Sequence, residues 1–265
     1  MLYQGRLAYD GTKFFGWQSQ PGGNTVQDLL EQALQTCLRK PIRVTGASRT
    51  DSGVHAEGQI FSFHCDTELD LMKIKKSINA LTPADIVLCK LSKAKDPDFH
   101  PIRDARAKIY RYSFCTAASP SPFVRPYVWH CPGLTIPSDR STLDAFVGHH
   151  SFKSFAASDG SATTFDRNLI DIELLRCGHY CHLYFLGEGF LKQMIRNIVG
   201  TLVDVWRSGS DARAIALMIA AQDRQSAGQT APASGLTLAS IFYQSEYPSL
   251  SEFVKSSDSF PFQLS

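Results

Sequence analysis

No apolar run in this sequence approaches the roughly 20 residues that a membrane-spanning helix needs. The amino terminus, MLYQGRLAYDG, has no basic region, long apolar core or small-residue cleavage site of a secretory signal. A soluble, cytoplasmic protein is the expectation. Cysteine pairing is also missing. The seven cysteines are odd in number and scattered, so they make no disulfide framework, and reduced thiols are expected. Excess charge of one sign is absent too: the formal net charge is +2. A chain so close to neutral can meet nucleic acid only through a local basic surface. There is no glycine-rich nucleotide loop and no separated pair of CxxC motifs.

What is present is enough apolar material for a packed core. Hydrophobic residues make up 43% of 265 positions and charged residues 20%, a composition for one large domain or two ordinary ones. The stretch LYQGRLAYDG reads as a strand ended by the turn pair Asp10-Gly11. A helix follows from Asn24 or Thr25, with Val26, Leu29, Leu30, Ala33, Leu34, Cys37 and Leu38 on one face. IRVTGAS and QIFSFHC read as strands, residues 70–80 as a short helix, and DIVLCKLSKA as another strand. Strand, helix, strand, strand, helix, strand is the order of a ferredoxin-like unit.

The second half repeats that order loosely. RAKIYRYSFCT is a strand, DRSTLDAFVGH a helix, and HHSFKSFAASDGSATTF a loop. RNLIDIELLRC and CHLYFLGEG read as paired strands. The spacing predicts a strongly amphipathic helix over 190–206, with Arg196 and Asn197 off its apolar stripe, and a further helix over about 211–221. The expected fold class is therefore α+β, with two ferredoxin-like halves, antiparallel sheets and helices on the outer face. The expected boundaries are 1–104, 105–247 and a tail over 248–265.

Four stretches carry chemistry-bearing residues. ASRTDSGVHAEGQ, residues 47–59, sets Asp51 beside Arg49, Thr50 and Ser52. Aspartic proteases use an Asp-Ser/Thr-Gly loop, but their two carboxylates share a proton and no second copy of the triplet exists here. Asp51, Ser52 and His55 on one loop cannot line up as a triad. Taken alone, TDSG reads first as an Asx turn. CGHYCH at 177–182 crowds four soft ligands onto one hairpin, where they cannot converge on one ion; core cysteines beside a turn are the simpler reading. KIYRYSF places Lys108, Tyr110 and Tyr112 on one strand face, either as packing under a helix or as a platform for stacking on a base. GFLKQMIRNIVG is a core helix in which Arg196 either sits at a solvated edge or reaches a carboxylate.

These stretches gain meaning together. YDGTKFFGWQSQP (9–21), SRTDSGVHAEGQ (48–59), DFHPIRDARAKIYRY (98–112), GHHSFKSF (148–155), GEGFLKQMIRNIVGTL (187–202) and APASGLTL (231–238) run in the same order as the motifs of one family. The chain strongly resembles the TruA family of tRNA pseudouridine synthases over nearly its whole length. It departs from that pattern at Ser48, where the family usually has glycine, and at FHPIR, which puts Arg103 one place later than the family's arginine.

The resemblance implies an isomerase that detaches uracil from its ribose, turns it and rejoins it through carbon 5, without a cofactor or metal. It implies Asp51 as the nucleophile, attacking either the base or the sugar. It implies Arg196 as the cation that keeps Asp51 ionised. Tyr110 would stack on the uracil near the proton of carbon 5, and Arg49 would steady the flipped nucleotide and its phosphates. Tyr112 is expected to be structural, and His55 and Gln59 to lie on the active-site loop without a chemical role. The family acts as a homodimer, with tRNA lying across both subunits and modified at positions 38, 39 and 40 of the anticodon arm. Residues 73–76 (KIKK), Arg103, Arg106, Lys108 and Arg111 are candidates for a basic surface in a central RNA-binding cleft.

Overall fold

The computed structural model describes residues 1–160 and 162–256. Along the chain its elements are β1 (Leu2–Tyr9), α1 (Val26–Leu38), β2 (Val44–Gly46), β3 (His55–His64), α2 (Leu71–Leu81), β4 (Ile86–Lys93), β5 (Ala107–Cys115) and β6 (Trp129–His130). They continue with α3 (Ser141–Asp144), β7 (Gly148–Ser151), β8 (Asp166–Cys177), β9 (Tyr180–Gly187), α4 (Met194–Ser208), α5 (Ala212–Ala221), β10 (Leu236–Phe242) and α6 (Leu250–Ser256). The class is mixed α+β, with extensive sheet and six α-helices among the described residues. The chain divides into two compact units. One is Met1–Arg106 with Thr237–Tyr243; the other is Ala107–Leu236 with the chain from Gln244.

In the first unit the strands lie in the order β4-β1-β3-β10, with β2 beside β3. β1 pairs antiparallel with β3, Leu2 opposite His64, and with β4, Tyr3 opposite Lys93. β2 and β10 share the second edge of β3. β2 takes its far end antiparallel, Val44 opposite Phe63, and β10 takes its near end in parallel, Thr237 opposite His55. α1 begins where the Thr25 side chain accepts the Asp28 amide and donates its hydroxyl to the Asp28 carboxylate at 2.6 Å, which occupies otherwise orphaned helix-end groups. Leu30, Leu34, Phe61, Ile78 and Leu88 are fully buried and form the apolar seam between sheet and helices.

In the second unit the order is β5-β9-β8-β7, with the short β6 beside β5. β8 and β9 form the expected hairpin, Cys177 opposite Tyr180. Ile198, Val199, Leu202 and Val203 of α4 are fully buried, as are Phe146, Phe152 and Phe155.

Several expectations for the second half of the chain are corrected. The helix expected over 190–206 starts at Met194, because Gln193 adopts a left-handed backbone, φ 60°, that an α-helix cannot continue through. Phe190 keeps an apolar contact without being helical, packing edge-on against Tyr110. The helix expected over DRSTLDAFVGH is one turn, Ser141–Asp144, and its end is already strand. The loop expected from His149 therefore begins inside β7, while β10 was not anticipated. Of the tail expected over 248–265, residues 250–256 form α6. Its Leu250 is buried and its Phe253 meets Tyr184 of β9 at 6.4 Å. Residues 257–265 lie outside the described residues.

Candidate active site

Asp51 stands in the loop between β2 and β3, and its neighbours fix that loop from both sides. Ser48 and Thr50 are buried, Arg49 is exposed and Asp51 is half-buried, so the main chain alternates inward and outward up to the acid. The Ala47 amide donates to the Ile60 carbonyl at 2.8 Å. The Gln59 amide group meets both main-chain groups of Ser48: its Oε1 accepts the Ser48 N–H at 3.1 Å and its Nε2 donates to the Ser48 carbonyl at 2.6 Å. Gln59 is fully buried.

A second set of contacts comes from residues 9–17. The Tyr9 hydroxyl and Thr50 Oγ1 are 2.7 Å apart in the interior, and the Tyr9 ring stacks on Trp17 at 6.2 Å. The Trp17 amide donates to the Thr50 carbonyl at 3.1 Å. On the other side of the acid, the Phe14 carbonyl accepts from Ser52 Oγ at 3.2 Å and from the Gly53 amide at 3.3 Å. Gly16 makes this approach possible. Its φ is +84°, and a Cβ there would sit 2.5 Å from the Thr50 carbonyl oxygen. Asp51 is thus carried on a loop whose flanking residues, Thr50 and Ser52, are both tied to the same segment. The Asp51 carbonyl also accepts the Val54 amide at 3.2 Å, closing a tight turn.

Two residues expected on this loop lie elsewhere. His55 and Gln59 are both on β3. His55 is buried, with Nδ1 accepting the Gly11 amide at 3.1 Å and the Asp10 carboxylate equally near. The two residues hold the loop's surroundings, and a single sequence offers no signal for such long-range pairings.

Tyr110 and Arg196 belong to the second unit. Tyr110 is on β5, opposite Phe185 of β9, and 6% exposed. Phe190 meets its ring edge-on, with centroids 5.3 Å apart. Tyr112, two residues on along the same strand face, is fully buried and donates its hydroxyl to the Pro232 carbonyl at 2.8 Å. Burial drives its phenol well above the usual range, and the Arg196 cation pulls weakly the other way. Arg196 is half-buried near the start of α4, and Ala231 engages it twice. The Ala231 carbonyl accepts from Arg196 Nε at 2.8 Å, and the Ala231 amide donates to the Arg196 carbonyl at 3.1 Å.

The candidates for a basic surface separate. Arg106 is exposed, while Arg103 lies against Asp104 at 2.9 Å, so its charge is already matched. Lys108 shares the Tyr110 face, and burial pulls its ammonium down to about 8. Arg111 points to the opposite face and is buried, so it is not part of an exposed surface. The CGHYCH residues are occupied separately. Cys177 is exposed, Cys181 is buried, and His182 Nδ1 lies 2.9 Å from Ser113 Oγ. Among the described residues no three His, Cys, Asp or Glu side chains converge as a metal site would require, and no helix is long and apolar enough to cross a membrane.

A family model described as tRNA pseudouridine synthase matches residues 7–102 and 143–244. The chain is 39% identical over 239 residues to tRNA pseudouridine synthase A of a Geobacter species, covering 89% of this chain and 96% of the relative. It is 39% identical over 242 residues to tRNA pseudouridine synthase A of Geobacillus kaustophilus, covering 91% and 93%. It is 35% identical over 238 residues to tRNA pseudouridine synthase A 2 of Clostridium perfringens, covering 89% and 97%.

Proposed function

Because this chain belongs to the tRNA pseudouridine synthase family and is an isomerase acting on tRNA uridine, we propose that it modifies positions 38, 39 and 40 of the anticodon arm with Asp51 as the nucleophile. The observation that carries the reading is the mounting of Asp51. Thr50 and Ser52 are both bound to the 14–17 segment, which holds the main chain that bears Asp51 in one place while Arg49 faces solvent. Holding a reacting group in position before substrate arrives removes an entropic part of the barrier.

The chemistry needs little else. The target uridine leaves its stack, at a cost of a few kcal/mol. Asp51 attacks and forms a bond to the base or the sugar, the bond from ring nitrogen 1 to the anomeric carbon breaks, and the ring turns. A new bond forms from carbon 5 to the anomeric carbon, and the bond to Asp51 breaks, which frees the carboxylate. The proton on carbon 5 leaves, and nitrogen 1 gains one. Bonds made match bonds broken, so no electrons enter or leave. Arg196 supplies the positive charge that favours an ionised Asp51. Tyr110 stacks on the uracil near the departing proton. Arg49, outward beside the acid, takes the nucleotide's phosphates, a role suited to a guanidinium.

The finer architecture belongs to the same reading. The strand order β4-β1-β3-β2 in residues 1–104 supports a ferredoxin-like half. We assign Ala107–Leu236 to the second half, with Thr237–Tyr243 completing the first. A cytoplasmic homodimer with tRNA across both subunits would join two modest basic surfaces and offset the low net charge of +2.

The deciding experiment is release of tritium from unmodified tRNA labelled at carbon 5 of uridine. The wild-type protein releases it and Asp51→Asn does not. Full activity in Asp51→Asn removes the acid from the mechanism; no release by wild type from any tRNA leaves an RNA-binding protein without catalysis.

A further inference from the structure

Arg224 makes four hydrogen bonds, all to neutral oxygens, and no carboxylate pairs with it among the described residues. Its Nη1 donates to the carbonyls of Ala227 at 3.3 Å and Gly228 at 2.9 Å. Its Nη2 donates to Asn197 Oδ1 at 3.1 Å and Thr230 Oγ1 at 3.1 Å. One fork of the guanidinium thus holds the 227–231 loop by its main chain. The other joins that loop to the residue next to Arg196 on α4.

Asn197 is fully buried and has no freedom of its own. Its Nδ2 donates to the Phe155 carbonyl at 2.8 Å, and its Oδ1 also accepts the Thr230 hydroxyl at 2.7 Å. The loop is pressed onto the same helix further along. The Gly228 amide donates to Thr201 Oγ1 at 2.9 Å, and a Cβ at Gly200 would run into the Gln229 carbonyl. The segment ends at Ala231, fully buried, which holds both the main chain and the Nε of Arg196.

We propose that Arg224 is a positioning residue for the reaction: by pinning the 227–231 loop to α4 through Asn197 and Thr230, it fixes the direction of the Arg196 guanidinium. The inference rests on the reading of Arg196 as the cation that serves the nucleophile. Lysine in place of Arg224 keeps the charge but has no planar fork to reach main chain and side chains at once. The arrangement therefore depends on the shape of the side chain and not on its charge alone.

Arg224→Lys and Thr230→Val test this with three readouts: single-turnover tritium release, tRNA affinity by filter binding, and solvent exchange of the Arg196 Nε–H by NMR. Each variant is expected to slow the single turnover about tenfold, within the range that a small misplacement of a reacting group costs. Affinity for tRNA stays near wild type, turnover is compared at temperatures where each variant is fully folded, and the Arg196 Nε–H exchanges faster. In an Arg196→Ala background, Arg224→Lys adds no further loss, because both changes act through one group. Wild-type turnover in both variants overturns the proposal, as does a full further loss in the Arg196→Ala background. Wild-type turnover in Arg196→Ala alone removes the role of Arg196 and the proposal with it. Faster Nε–H exchange in that case would show that the loop holds a guanidinium the reaction does not use.

Discussion

Gln59 closes both hydrogen bonds of its side-chain amide on the main chain of Ser48, three residues before the acid. The pair acts as one extra rung of backbone ladder, supplied by a side chain, where the strand partner has ended. Gln59→Leu keeps the volume but leaves a buried N–H and a buried carbonyl unpaired, at about 1–3 kcal/mol each. We expect a loss of about 2–6 kcal/mol in urea unfolding. Pseudouridine formation should fall in the fraction that remains folded. Unchanged stability would mean that water replaces the amide and that the clamp is dispensable.

Tyr9→Phe removes the hydroxyl that meets Thr50 in the interior but keeps the ring on Trp17. The stability loss should be about 1–2 kcal/mol, the scale of one buried hydrogen bond with its partner left behind. Thr50→Val should cost a similar amount, and the double variant little more than either alone. Additive losses in the double variant would show that the two oxygens do not depend on each other.

Gly16→Ala tests the left-handed turn that lets residues 14–17 approach the loop. The alanine meets both an unfavourable φ of +84° and the Thr50 carbonyl at 2.5 Å. We expect more than the ~1 kcal/mol cost of conformation alone, because the carbonyl is main chain and cannot swing away. The thermal midpoint should drop, and turnover should drop further than the midpoint accounts for, since Thr50 adjoins the acid.

His182 gives a pH dependence of known sign. Burial pushes its pKa down to about 4, helped by the nearby Arg111 cation. The unfolded chain takes up this proton near pH 6.5, before the folded one does. The neutral imidazole therefore contributes stability that is complete above about pH 6.5 and is lost as the pH falls towards about 4, by on the order of 3 kcal/mol in all. Denaturant unfolding from pH 7.5 to 4 should show this loss in the wild type. His182→Gln should flatten the curve over that window; an unchanged slope would assign the dependence to other groups.

Much of this was legible in the sequence, and the unread parts share a cause. Asn24 and Thr25 announce the start of α1 because a cap is a local signal, and the structure puts the cap at Thr25. Asp51, Tyr110 and Arg196 stand out because their motifs occur in order along the chain. Gln59 looks like any polar strand residue until Ser48 faces it. Asn197 reads as an off-stripe polar position, yet it is fully buried because Phe155, Arg224 and Thr230 satisfy its amide. Arg224 and Thr230 carry no motif at all. Periodicity alone carried α4 back to Phe190, because an apolar spacing cannot register the left-handed backbone at Gln193. β10 takes its place only against β3, a parallel partner far earlier in the chain.

That last pairing has a consequence for synthesis. The first 106 residues leave the ribosome with β1, β2 and β4 available, but the end of β3 that follows the Asp51 loop still has an open edge beside His55 and Ala56. Its partner, Thr237–Leu238, is made only after the whole second unit. An edge kept waiting that long is a site for wrong pairing, and contacts so distant in sequence form slowly. Birth of the molecule is therefore sequential in its bulk but not in its finish: the strand that follows the Asp51 loop is completed by the last strand of the described residues.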